Sequence, residues 1–205
     1  MIYAHEQREK KARYIGPRPG YPKVQLRYAD TMSDYLGDRH LSYELAVFNG
    51  WYPTHYRGSA RVVIPCSNSA GVPYFQARDM SGESELRYAS PPAPRDDSVV
   101  LVWPELRAKG TVIVEGPMDA LAAAGLGFLG IAVMGNQPTA EVIDHIVPYA
   151  KSFQPVIVLP DADALYFGPY MLGSLVQRGI DGAIRAPYRK DLAEMSPKER
   201  RVFLT

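Results

Sequence analysis

Apolar positions along the chain follow two regimes, and the change comes near residue 98. Before it, the pattern is mixed. Residues 41–48 (LSYELAVF) carry apolar side chains at helical spacing, and TMSDYLGD just ahead predicts a short partner helix capped by Asp30 or Thr31, with Gly50 closing the pair. Residues 60–65 (ARVVIP) form a compact β-branched run and residues 72–77 (VPYFQA) a second. Ser67, Asn68, Ser69 and Gly71 between them predict a hairpin. Residues 81–98, rich in Ser, Pro and Asp, read as loop.

After residue 98, short apolar runs alternate with helical stretches. Strands are expected at 99–102, 111–114, 130–134, 156–159 and 182–186, and helices at 118–125, 140–149 and 167–177. Thr139 is the expected cap of the second helix, with Glu141 in its first turn. Such alternation implies a parallel sheet covered on both faces. The expected organisation is a polar arm over 1–30, a small α+β subdomain over 31–98 and an α/β domain over 99–205.

Composition narrows this picture. At 46% hydrophobic and 22% charged residues, the 205-residue chain is an ordinary globular one. Its net charge of +1 requires that any nucleic-acid surface be a local patch. The single cysteine, Cys66, excludes an internal disulfide and a cysteine-built zinc site, and reads as a small core or turn residue. The charged N-terminus is not a signal peptide, and no apolar run is long enough to span a bilayer, so a cytoplasmic protein is expected. Residues 1–30 carry seven basic and three acidic side chains, with Gly16, Pro17, Pro19, Gly20 and Pro22 breaking regular structure. That arm is either solvated or in contact with phosphates.

The candidate chemistry lies in two acidic clusters at equivalent places. TVIV runs into Glu115-Gly116, with Asp119 one turn into the following helix; VIVL runs into Pro160 and then Asp161-Ala162-Asp163. In a parallel sheet the carboxyl ends of all strands share one edge, where ligands bind. If the two strands are neighbours, three or four carboxylates converge there, and they repel unless a cation or a proton intervenes. Hard oxygen donors with open positions suit Mg2+ or Mn2+ and substrate phosphates. Gly116 is expected to let the chain turn sharply beside a bound phosphate.

The segment VIVEGPMDALAAAGLGFLGIAVMGNQPT followed by VIVLPDADA resembles the Toprim domain of DnaG-like primases, topoisomerases and related nucleases. RVVIPCSNSAGVPYFQAR resembles the strand–turn–strand of the primase polymerase core, LRYASPP its basic element, and YLGDRHLSYELAVFNGWY its helical lead-in. The order of elements over roughly residues 33–195 is that of a DnaG-like primase core. The resemblance implies a Toprim fold and template-directed synthesis of RNA primers on single-stranded DNA from nucleoside triphosphates, with Mg2+ or Mn2+ as cofactor. It implies Glu115, Asp161 and Asp163 as catalytic residues. Glu115, Asp119, Asp161, Asp163 and, from the RKDLAEM segment, Asp191 would hold metal. Arg78, Arg87 and Lys190 would meet template or nucleotide phosphates.

Three departures accompany the resemblance. The family's zinc-binding module and C-terminal helical bundle are expected to be missing, Tyr166 stands where a glycine follows the D-x-D, and Asn136 departs from the G-T-x-x-T turn matched by residues 135–139. A replicative helicase or a separate zinc-binding subunit is the partner these losses call for, and the small size points to a phage or mobile element. Two other classes stay open: a non-catalytic module that grips single-stranded DNA, and a Toprim nuclease. His145 reads as structural, and Tyr74, Phe75 and Tyr88 as either packing or base-stacking residues.

Overall fold

The computed structural model describes residues 20–161, 163–164, 166–186 and 190–204. Most of the basic arm, residues 1–19, falls outside them. Two sheets organise the chain. The first is an antiparallel meander, β1 (Tyr52–Tyr56), β2 (Ser59–Pro65), β3 (Phe75–Asp79) and β4 (Tyr88–Ala89). The second has five strands, β5 (Val100–Val102), β6 (Thr111–Val114), β7 (Leu129–Ala132), β8 (Val156–Val158) and β9 (Gly182–Ile184), in the order β5-β7-β6-β8-β9. Its pairings are parallel except for the edge strand β5, which runs antiparallel to β7. The expected α/β fold therefore holds, with a mixed rather than purely parallel sheet.

Helices α1 (Ala29–Gly37) and α2 (Tyr43–Phe48) precede the first sheet. Helices α3 (Pro117–Gly125), α4 (Ala140–Ser152) and α5 (Phe167–Val176) alternate with the strands of the second, and α6 (Pro197–Leu204) follows it. β6 is buried along its whole length, as a central strand covered on both faces must be. α3 is apolar almost all round and buried from Pro117 to Ala124. It lies so close to β7 that a Cβ on Gly130 would stand 2.1 Å from the Ala120 carbonyl oxygen.

Several local expectations change. Asp30 and Thr31 lie inside α1, which starts after Tyr28, while Ser42 caps α2 by accepting from the Leu45 N–H. The second run of the hairpin begins at Phe75, because Cys66 and Tyr74 pair outside the regular ladder and the link is a long loop. β1 carries Pro53, which a strand tolerates only at a sheet edge, and β1 is an edge. Residues 20–28 are tied to the first sheet, although Gly20, Lys23, Leu26 and Arg27 stay exposed. Tyr21 donates its hydroxyl hydrogen to the Tyr74 carbonyl, and Tyr52 and Thr54 reach the carbonyls of Pro22 and Lys23 at 2.8 and 2.7 Å.

One core cluster runs through both sheets, joining Leu36, Trp51 and Ile64 to Val114, Leu121 and Leu159. The buried Asn49 adds a polar link: it accepts from the Trp103 N–H at 2.7 Å and donates to the Trp103 carbonyl at 2.9 Å. Among the described residues, no helix is long and apolar enough to cross a membrane.

Candidate active site

β6 pairs with both β7 and β8, so the segments that follow β6 and β8 leave the same edge side by side. The Leu159 N–H bonds to the Ile113 carbonyl at 2.9 Å, extending the pairing to the rim. There the two acidic motifs touch: Glu115 Oε1 accepts from the Asp161 N–H at 3.2 Å.

Each carboxylate has its own setting. Asp119 is 6% exposed in the first turn of α3, and its Oδ1 accepts from the Ala193 N–H at 2.7 Å. A helix N-terminus favours the ionised form there. Burial, reinforced by Asp191, outweighs that help and the Ala193 bond, and pushes Asp119 up to about 6. Asp161 is pushed up to about 7, first by burial and then by the charges of Asp119, Asp191, Glu115 and Asp163. Glu115 is raised as well, by burial foremost and by Asp163 and Asp191, against the lowering effect of the Asp161 N–H. Asp163 is exposed at the outer side of the loop, and Asp191 is half-buried just before a 3-10 turn over Leu192–Glu194. All five acidic residues expected from the sequence thus act on one another. Gly116 serves a different purpose from the one expected: its backbone angles are ordinary, but a Cβ would stand 3.2 Å from Asp119 Oδ2.

A basic wall comes from the first sheet. Arg78 on β3 is 8% exposed. Its Nε donates to the Tyr35 hydroxyl at 2.7 Å, its guanidinium lies 4.9 Å from the Tyr88 ring centre, and its Nη1 is buried with no hydrogen-bond partner. Burial pushes the Tyr88 phenol up to about 12, and that phenol also feels Arg78, Tyr35, Asp119 and Arg87. The basic wall is therefore within electrostatic reach of the acidic rim. Arg87 is exposed beside Tyr88, and Lys190 pairs with Glu199 at 3.6 Å. Tyr74 and Phe75 are buried, Phe75 against Tyr21 and Tyr56, so both are packing residues.

Three residues went unnoticed in the sequence. Met134, with φ +60°, holds a strained conformation beside the rim, and its N–H bonds to the Glu115 carbonyl at 2.9 Å. Arg95 donates to the Met134 carbonyl. Tyr35 holds Arg78. His145 lies 3.7 Å from Asp97 and is lowered by burial, as befits a structural side chain. Cys66 is buried, which raises its thiol.

Among the described residues, no group of three or more His, Cys, Asp or Glu side chains is arranged to hold a metal ion as it stands. The donor set nevertheless fits Mg2+, which keeps several waters and needs only one or two carboxylates plus substrate phosphates. Mutually raised carboxyl groups are also what a divalent cation would relieve.

The fold has counterparts among solved structures. The primase fragment of the bacteriophage T7 primase-helicase protein is similar with a TM-score of 0.62 at 17% identity, over 97% of this chain and 84% of that one. A chain from a bacteriophage T7 assembly, in which the lagging-strand DNA polymerase interacts with primase domains bound to an RNA/DNA hybrid and dTTP, is similar with a TM-score of 0.53 at 18% identity, over 76% and 80% of the two chains. No family model and no curated protein sequence matches. The chain has a primase-like fold.

Proposed function

We propose that this chain synthesises short RNA primers on single-stranded DNA, by nucleotidyl transfer at the rim formed by Glu115, Asp119, Asp161, Asp163 and Asp191. The observation that carries the reading is the contact between Glu115 and the Asp161 backbone, which makes one acidic centre of two motifs 46 residues apart. A bound Mg2+ or Mn2+ supplies charge neutralisation at the transferring phosphate and at the leaving pyrophosphate. Asp161, Asp163 and Asp191 are the side chains that would hold it, with Asp119 behind them.

The 3′ oxygen of one nucleotide forms a bond to the α-phosphorus of the next. The bond to the pyrophosphate oxygen breaks, and the hydroxyl proton passes to the Glu115 carboxylate. Arg78 and Arg87 hold the template or the nucleotide phosphates. Single-stranded DNA and nucleoside triphosphates are then the substrates, and a replicative helicase or a zinc-binding subunit the expected partners.

Incubation with single-stranded DNA, labelled ribonucleotides and Mn2+ tests this. Wild type should yield short oligoribonucleotides, and Asp161→Ala should lower the yield by roughly a thousandfold, about 4 kcal/mol of transition-state stabilisation. Absence of product from wild type, with DNA binding that persists in EDTA, would instead favour a non-catalytic DNA-gripping module.

A further inference from the structure

Arg200, in α6, is 4% exposed. Its guanidinium meets four backbone carbonyls. Nε donates to Leu192 at 2.7 Å, Nη1 to His40 at 2.8 Å, and Nη2 to Arg39 at 2.6 Å and Ala193 at 2.8 Å. A buried guanidinium is costly, and an apolar side chain of similar volume is often as stabilising, so such a residue is better explained by order than by stability.

What it orders is specific. Leu192 and Ala193 lie in the 3-10 turn that directly follows Asp191, and the Ala193 N–H is the group that holds Asp119 Oδ1 at 2.7 Å. Arg39 and His40 close α1, the helix whose Tyr35 hydroxyl accepts from Arg78. The Arg39 side chain also donates to the Tyr35 carbonyl and lies 4.0 Å from the Tyr35 ring centre. His40 itself has φ +52°, a strained conformation whose carbonyl Arg200 fixes. One guanidinium thus spans 160 residues of sequence and joins the acidic rim to the helix behind the basic wall.

We propose that Arg200 is a positioning residue of the acidic site: through the 192–193 carbonyls it sets where Asp119 and Asp191 stand, and so the affinity of the rim for a divalent cation. This rests on the metal reading of the site. Arg200 bonds none of the carboxylates itself; it holds the backbone that holds Asp119, one step beyond the ligand partners whose loss weakens metal binding by about 10- to 100-fold.

Binding of Mn2+ alone, read by the electron paramagnetic resonance signal of the free ion, tests it in wild type, Arg200→Met, Arg200→Lys and Leu175→Ala. Leu175 is fully buried in the separate core cluster under α5, so its truncation lowers stability away from the rim. Arg200→Met should bind Mn2+ at least about tenfold more weakly, Arg200→Lys should fall between it and wild type, and Leu175→Ala should match wild type. The proposal is overturned if Arg200→Met, folded by circular dichroism at the measuring temperature, binds within about twofold of wild type. It is equally overturned if Leu175→Ala loses as much affinity. Should Arg200→Met not fold, an unchanged Arg200→Lys overturns it. If wild type takes up no Mn2+ at millimolar concentration, the metal reading falls first and this proposal with it.

Discussion

The acidic rim and Arg78 of the first sheet use opposite charges for different tasks. Arg78 needs both its Nε bond to Tyr35 and its flat face against Tyr88, and a lysine supplies neither. Arg78→Lys should weaken single-stranded DNA binding by roughly tenfold, about 1.4 kcal/mol, as read by fluorescence anisotropy in EDTA. Unchanged affinity would remove Arg78 from the interface. On the acidic side, Asp119 and Asp161 have values raised to about 6 and about 7. Between the ordinary carboxylate range and about 7, the folded chain without metal holds more protons than the unfolded chain, so stability falls as pH rises through that window. A cation replaces those protons, and Mn2+ should therefore stabilise more at the top of the window than at the bottom. Thermal midpoints across about pH 5 to 8, with EDTA or with Mn2+, should show the slope in wild type and a shallower one in Asp161→Asn. Equal slopes in the two proteins would deny Asp161 its raised value.

At the scale of elements, the close approach of α3 to β7 fixes the site. A methyl group on Gly130 would meet the Ala120 oxygen, carbon and Cα at 2.1, 2.7 and 2.8 Å, all backbone atoms that cannot yield singly. Gly130→Ala should cost about 3 kcal/mol or more in denaturant unfolding, and in whatever folds, Mn2+ affinity should drop because α3 carries Asp119. A variant as stable as wild type would mean that α3 shifts freely. The elements best read from sequence were those with uniform burial. β6 and α3 lie within a residue of expectation because a strand or helix buried on every side leaves an unbroken apolar run. β1 escaped notice because Pro53, Thr54 and His55 interrupt any alternation, and only its edge position makes the proline harmless.

For the whole molecule, the shared core decides cooperativity. Side chains from α1, β2 and the segment after α2 lie in one cluster with β6, α3 and the end of β8, and Asn49 ties α2 to the loop after β5. Thermal unfolding should therefore be one transition with coincident far- and near-ultraviolet circular dichroism. Asn49→Ala, which removes two hydrogen bonds to the Trp103 backbone, should lower stability by about 2 kcal/mol without splitting the transition. Two separate transitions would mean that the sheets fold independently.

By itself, the sequence determined that two apolar strands end in acidic clusters and that these clusters share one rim, since strand direction in a parallel sheet is a topological constraint independent of loop length. Tertiary structure alone decided that β6 and β8 are neighbours, that Tyr35 and Tyr88 hold Arg78, and that Arg200 reaches residues 39 and 40. In the run PKERR, Arg200 looks like any solvated helix charge. Its four acceptors are backbone carbonyls, which every residue carries, so no side-chain pattern could have marked them.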